Sequence, residues 1–112
     1  MYKRQIILCE GVFDALAIRR NAIPILGKSL SMELKKKLLT SNVTDIYIAL
    51  DTDARERALH IAEHLLNQGK RIFLVDLPDK DPSEMGFKPF TKLIQTAEEL
   101  DLSKIMLHKL DL

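Results

Sequence analysis

Carboxylates follow two of the most apolar runs in the sequence, at the point where each run ends. Glu10 comes directly after QIILC, and Asp51 and Asp53 follow DIYIAL. Residues two apart point the same way from an extended chain, so the two aspartates can face one site. Carboxylates brought together repel one another unless a cation neutralises them. The pattern therefore predicts a site for a hard divalent cation with oxygen ligands, either Mg²⁺ or Mn²⁺ as its substitute.

Each of these acids also has an ordinary structural explanation. Asp51 and Asp53 can serve as the N-cap and a first-turn acid of a helix that begins directly after them. Asp14 complements the positive end of a helix dipole and can also support the site. Asp81 begins the sequence DPSE, which has the pattern of an N-cap, a first-turn proline and a capping box. At this level both interpretations stay open for each acid.

The histidines and the single cysteine add no metal site of their own. His60 and His64 stand four residues apart, a spacing that can hold zinc, but no third ligand accompanies them. We interpret these two residues and His108 as surface residues. Cys9 is the only cysteine, which excludes an intramolecular disulfide and a thiolate zinc cluster and suits a reducing cytosol.

The composition is that of an ordinary globular protein. The chain has 112 residues, of which 46% are hydrophobic and 29% charged, and its net charge is +1, which argues neither for nor against nucleic acid. This length predicts one domain over residues 1–112. No apolar run is long enough to span a membrane, and the start MYKRQIILCEG lacks a signal-peptide cleavage pattern. We expect a cytoplasmic protein.

Strand and helix patterns alternate along the chain. Continuous apolar runs, typical of strands buried on both faces of a parallel sheet, predict strands at 5–9, 22–26, 45–50 and 71–78. Helices are predicted at 12–21, 32–41 (N-cap Ser31), 54–68 (ended by Gly69) and 89–100. The tail, residues 103–112, fits either a strand or a helix.

This alternation predicts an α/β fold with a mainly parallel sheet of about four strands and helices on both faces. Ligands bind beyond the carboxyl ends of the strands in such sheets. Glu10 and Asp51 follow the first and third strands, so they share one site if those strands are neighbours.

The combination of motifs resembles the Toprim domain shared by topoisomerases and primases. The pattern is EGxxDAL after the first strand, DxD after the third and KDP after the fourth. LCEGVFDALAI is similar to the glutamate motif of bacterial and phage primases, PILGKSLS to their glycine loop, and LPDKDPSEMG to their acid-proline motif. The resemblance covers about residues 5–100 and points to the primase branch.

The resemblance implies a magnesium-dependent nucleotidyl-transfer site that makes RNA primers on a single-stranded DNA template from nucleoside triphosphates. Glu10 matches the glutamate of the first motif, and Asp51 and Asp53 match the metal-binding pair. Asp81 matches the acid of the last motif and is a fourth candidate metal ligand.

Further residues of the same edge complete the implied site. Gly11 and Asp14 complete the first motif. Four cations on loops or helix starts are candidates for contacts with phosphate or nucleic acid, with solvated surface cations as the alternative: Lys28, Arg55, Arg57 and Lys80.

Two departures from the family pattern qualify this resemblance. Many relatives have a glycine soon after the aspartate pair, where this chain has Arg55 and Glu56 in DTDARERA. Related primases also carry a basic subdomain before the Toprim fold, and usually a zinc-binding domain and a helicase or helicase-binding domain. We expect such parts to come from a partner or from further segments, in a bacterial or phage-infected cell.

Two other functions use the same residues. A Toprim nuclease would hydrolyse phosphodiesters, with Glu10 as a general base. A non-catalytic Toprim module would mediate protein or DNA contacts, as in recombination mediators. The motifs KDP and LGKSLS favour the primase.

Overall fold

The computed structural model describes residues 4–9, 11, 22–25, 36–38, 40, 43–50, 54–75 and 87–110. Its strands are β1 (Arg4–Cys9), β2 (Ala22–Pro24), β3 (Val43–Ala49), β4 (Arg71–Leu74) and β5 (Glu98–Leu100). Its helices are α1 (Arg55–Asn67), α2 (Phe87–Gln95) and α3 (Leu102–Leu110). The predicted helix at 12–21 lies outside the described residues. Of the predicted helix at 32–41, residues 36–38 and 40 are described, and they are helical.

The strands form one five-stranded sheet in the order β2-β1-β3-β4-β5. Strands β2, β1, β3 and β4 are parallel, and β5 runs antiparallel to β4 at the edge. The predicted α/β class with a mainly parallel sheet is therefore confirmed. The first and third strands are neighbours, as the shared-site hypothesis requires.

Both faces of the sheet are covered, which explains why its strands read as continuous apolar runs. On one face Leu8, Ile46 and Ile48 pack against residues of α1 and against Ile105 of α3. On the other face Ile7, Cys9, Tyr47 and Ala49 form a smaller cluster with Ile94 of α2. Successive residues of a strand point to opposite faces, so a strand with helices on both sides must be apolar throughout.

Helix α1 has the length and position that its apolar periodicity predicts. Leu59 and Leu65 are fully buried. The helix ends where Gly69 takes a φ of +90°, a left-handed conformation that glycine adopts without strain. The Gly69 N–H donates to the Leu66 carbonyl at 3.0 Å, which satisfies one of the last helical acceptors.

The segment after Gln95 differs from its prediction. The predicted helix at 89–100 ends at Gln95, and Glu98–Leu100 instead forms β5. Pairing with the open edge of β4 satisfies the backbone of this segment, buries Leu100 and joins Glu99 to Arg71. These tertiary contacts outweigh the helical tendency of AEEL, because propensity is a weak preference beside packing.

The tail, which fitted either a strand or a helix, is helical. Asp101 caps α3, since its Oδ1 accepts a hydrogen bond from the Lys104 N–H at 2.8 Å. Ile105 anchors this helix in the larger core, and α3 packs against α1. Within the described ranges, no helix combines the length and apolar character needed to cross a membrane.

Candidate functional site

The carboxyl ends of β1 and β3 lie side by side. Cys9 is the register partner of Ala49, the last residue of β3. The Ile25 N–H donates to the Cys9 carbonyl at 2.9 Å, and the Val75 N–H donates to the Ile48 carbonyl at 3.0 Å, so the strands on either side reach the same edge. Neighbouring strands are about 4.8 Å apart. The two chain segments that carry the predicted carboxylates therefore leave the sheet from adjacent points.

Three of the predicted site residues are described: Gly11, Arg55 and Arg57. The others lie outside the described residues, and their roles stay predictions: Glu10, Asp14, Lys28, Asp51, Asp53, Lys80 and Asp81. In the part of the chain that is described, no three His, Cys, Asp or Glu side chains are arranged to hold a metal ion.

Gly11 marks a turn of the chain directly after β1. The Cys9 thiol is fully buried, and its Sγ lies 3.7 Å from the Gly11 carbonyl oxygen, within reach of a weak S–H hydrogen bond. This contact keeps the Gly11 carbonyl close to the Cys9 side chain. Cys9 thus acts as a small buried residue that supports the turn, in agreement with its expected free thiol.

Arg55 and Arg57 lie in the first turn of α1, and both are half-buried. Because α1 follows β3 after a short connection, its N-terminus lies at the carboxyl edge of the sheet. Cationic side chains and the positive end of the helix dipole both favour anions at this edge. The two arginines thus belong to the start of this helix, and their contact with phosphate stays a prediction.

A cleft that the sequence did not indicate opens at the same edge, beside the end of β4. It has a volume of about 400 Å³, and we call it the β4–β5 cleft. Helices α1, α2 and α3 and strands β4 and β5 border it. Its lining residues are Arg55, Leu74, Leu93, Thr96, Glu98 and His108.

A pair of side chains within hydrogen-bond distance of each other lines this cleft. His108 Nε2 of α3 lies 2.8 Å from Glu98 Oε1 of β5, and the His108 side chain is only 22% exposed. His108 is thus a partly exposed residue with a defined partner, which the interpretation as a surface residue did not include. No local pattern links these residues, which are ten positions apart, and their pairing depends on the turn from β5 into α3.

The opposite end of the sheet carries a second group of charges, which we call the amino-end cluster: Asp45, Arg71 and Glu99, with Tyr47 and Phe73. The Arg71 guanidinium donates to both oxygens of Glu99 at 3.1 and 3.2 Å and lies 3.8 Å from Asp45 Oδ1. It also lies over the Phe73 ring, which stacks on Tyr47 with centroids 4.6 Å apart. The hydrogen bond to Glu99 raises the pKa of Arg71, with a smaller contribution from Asp45.

Residues 5–88 match the sequence profile of the family described as "Toprim domain". Among curated proteins, the chain is 35% identical over 89 residues to proteins named "DNA primase" from Staphylococcus aureus, including strains MRSA252 and N315. The match covers 71% of this chain but 14% of those primases. The chain thus corresponds to a small part of its curated relatives.

A solved structure shares the fold. It is the crystal structure of the Aquifex aeolicus primase, containing the zinc binding and RNA polymerase domains, with a TM-score of 0.71 and 30% identity. The alignment covers 86% of this chain and 26% of that one. Family profile, curated relatives and fold agree with the adjacent strand ends described above: the chain belongs to the Toprim domain family.

Proposed function

We propose that the chain is the metal-binding catalytic core of a DNA primase, which uses divalent cations to join ribonucleotides into a primer on single-stranded DNA. The observation that carries this proposal is the register of β1 and β3, with Cys9 opposite Ala49. Each strand is followed directly or after one residue by a carboxylate motif, so Glu10 and Asp51 depart from neighbouring points. The likeness to two primases supports this function over other Toprim activities.

The proposed ligand set fits a hard cation. Its members are Glu10, Asp51, Asp53 and Asp81, all carboxylates, and oxygen donors are what Mg²⁺ and Mn²⁺ prefer. A bound ion of this kind neutralises charge that develops on a triphosphate during displacement. The chain bends at Gly11 after β1, and we assign a supporting role to Asp14, which belongs to the same motif as Glu10.

Cations at the same edge complement the metal. Arg55 and Arg57 lie in the first turn of α1, and Lys28 and Lys80 belong to the glycine-loop and acid-proline motifs. We assign these four side chains to phosphates of the incoming nucleotide or of the nucleic acid strand, where charge-assisted hydrogen bonds are strong.

Primer synthesis requires more than this chain offers. With a net charge of +1, two tyrosines and four phenylalanines, it presents little surface for electrostatic or stacking contact with single-stranded DNA. We propose that a basic subdomain, a zinc-binding domain or a helicase supplies the template contacts, and that the assembly works in the cytoplasm.

The test is incorporation of labelled ribonucleotides on single-stranded DNA with Mg²⁺ or Mn²⁺. We expect poor synthesis by the chain alone and strong synthesis once a basic template-binding segment from a related primase is fused before it. Glu10→Gln should abolish the fused protein's activity. Glu56→Gln removes an exposed carboxylate from the first turn of α1 and is the matched control, which should stay active.

Three outcomes would contradict this proposal. Robust synthesis by the chain alone, lost in Glu10→Gln, would show that no added template-binding segment is needed. Cleavage of the DNA that depends on the metal and on Glu10 would assign a nuclease instead. Activity of the fused Glu10→Gln protein equal to that of Glu56→Gln would remove Glu10 from the site.

A further inference from the structure

The β4–β5 cleft is built from residues that the metal-site hypothesis does not use, except for Arg55. Four of its lining residues lie beyond residue 88, where the match to the Toprim profile ends: Leu93, Thr96, Glu98 and His108. Its volume of about 400 Å³ is within the range of roughly 300–1,000 Å³ that is usual for small-ligand sites.

Two contrasting surfaces meet in this cleft. Leu74 from the end of β4 and Leu93 from the last turn of α2 are half-buried and supply an apolar wall. The polar groups of the lining come from Thr96, Glu98 and His108. A ligand that fits must therefore combine an apolar part with several hydrogen-bonding groups.

The Glu98 carboxylate is held in place for hydrogen bonding. Its Oε1 pairs with His108 Nε2 at 2.8 Å, and within the described ranges its Oε2 takes part in no hydrogen bond or ion pair. An ionised carboxylate only accepts hydrogen bonds, so its natural partners are hydroxyl or N–H donors. A fixed carboxylate is the group that nucleotide sites commonly use to bind ribose hydroxyls.

The third feature is a cation in the lining of the cleft, Arg55. Arg55 lies in the first turn of α1, two residues after Asp53 in the sequence, and also lines the cleft. Its guanidinium suits a phosphate, which it can bind through two parallel hydrogen bonds. An anion for Arg55, hydroxyl donors for Glu98 and an apolar ring for the two leucines are together the parts of a nucleotide.

We propose that the β4–β5 cleft binds the nucleoside part of a ribonucleotide, with phosphate at Arg55, ribose hydroxyls at Glu98 and the base against Leu74 and Leu93. The identification of the ligand rests on the proposed primase function, and the cleft would select ribonucleotides over deoxyribonucleotides. His108 is a positioning residue in this arrangement, because it orients Glu98 and need not touch the ligand.

The experiment is a titration of the ¹⁵N-labelled chain with ATP or dATP in EDTA, followed by amide shifts in NMR spectra. Without metal, the result does not depend on the carboxylate site. We expect shifts at Thr96 and Glu98 and about tenfold tighter binding of ATP, which corresponds to about 1.4 kcal/mol. Glu98→Gln should make the two affinities equal, and His108→Gln should reduce the preference.

Glu99→Gln is the matched control. Glu99 is the next residue of β5, points to the other face of the sheet and pairs with Arg71. This variant should keep the ATP preference. A thermal melt of each variant separates loss of binding from loss of fold, and a Glu98→Gln protein with an unchanged spectrum elsewhere is folded.

Several results would overturn this inference. They are equal affinity of the unmodified chain for ATP and dATP, shifts confined to residues outside the cleft, or an equal loss of preference in Glu98→Gln and Glu99→Gln. Shifts at the cleft with an oligothymidylate but not with ATP would assign it to the DNA strand. Primer synthesis that depends on Glu10, without ATP binding at the cleft, would leave the proposed function standing and remove this inference alone.

Discussion

The two ends of the sheet differ in how their charged groups are compensated. At the amino end, Arg71 pairs with Glu99 and approaches Asp45, which is only 2% exposed. At the carboxyl end, the last residues of β1 and β3, Cys9 and Ala49, are buried and apolar. The polar groups there line an open cleft, and the predicted acids follow in the sequence.

The difference separates stability from binding. A buried carboxylate with a cation beside it is compensated by the protein itself, and the aromatic stack of Tyr47 and Phe73 fixes the cation in place. At the other end, the metal-site hypothesis has an external ion compensate the predicted carboxylates. We therefore expect variants at the amino end to change stability and variants at the carboxyl end to change function.

The largest effect is expected for Asp51→Asn combined with Asp53→Asn. Mg²⁺ should raise the melting temperature of the unmodified chain, because a ligand selective for the folded state stabilises it, by about 1.4 kcal/mol at ten times its Kd. The double variant should lose this rise and all primer synthesis in the fused protein. Its stability without metal should be equal or slightly higher, since repulsion between the carboxylates is relieved.

Melting curves with and without Mg²⁺ measure the effect, and Glu56→Gln serves again as the control. If Mg²⁺ raises the melting temperature of the double variant as much as that of the unmodified chain, the metal binds at another site. A strongly lowered melting temperature without metal would show that these aspartates support the fold, and would end the contrast between the two sheet ends.

The next largest effect is expected for Arg71→Met. This variant keeps an apolar side chain over Phe73 but leaves the buried Asp45 without its cation, which is strongly unfavourable. Urea unfolding should show a clear loss of stability, whereas ATP titration should be unchanged. Adding Asp45→Leu should recover much of the loss, because the buried charge is then removed as well.

Arg71→Lys keeps the charge but not the forked hydrogen bonds to Glu99, so we expect intermediate stability. If Arg71→Met is as stable as the unmodified chain, the amino-end cluster does not contribute to stability. If it instead weakens ATP binding, the two ends are coupled.

The smallest effect concerns the pair of Glu63 in α1 and Lys109 in α3, which joins these two helices. The hydrogen bond from Lys109 and its charge lower the pKa of Glu63 below its usual value of 4.5. A lowered folded-state pKa contributes stability above the unfolded value, and this contribution is lost as the pH falls through the folded one. Both side chains are 38% exposed, so solvent screens the pair and its contribution is small.

Lys109→Met should therefore flatten the dependence of stability on pH between about pH 5 and pH 3, measured by urea unfolding at each pH. Lys109→Arg keeps the cation and should preserve the dependence. Glu63→Gln should behave as Lys109→Met does, and the double variant should add nothing further. A pH dependence that is unchanged in Lys109→Met would remove this pair as its source.

The sequence by itself determined the α/β class, the parallel core of the sheet and helix α1. These features follow from periodicity and turn chemistry, which act over a few residues: continuous apolar runs for β1 and β3, and Gly69 for the end of α1. The ends of the strands that precede the carboxylates could be predicted for the same reason. The motifs also gave the family, because their residue types and order are specific.

Only the tertiary structure decided what depends on distant partners. β5 exists because the edge of β4 is available and Arg71 holds Glu99, so its helix-like sequence was misleading. The β4–β5 cleft and its pair of Glu98 and His108 arise where β5, α3 and α2 converge with the end of β4. No rule based on neighbouring residues predicts these contacts, because packing and cross-strand pairing join residues that are far apart in the sequence.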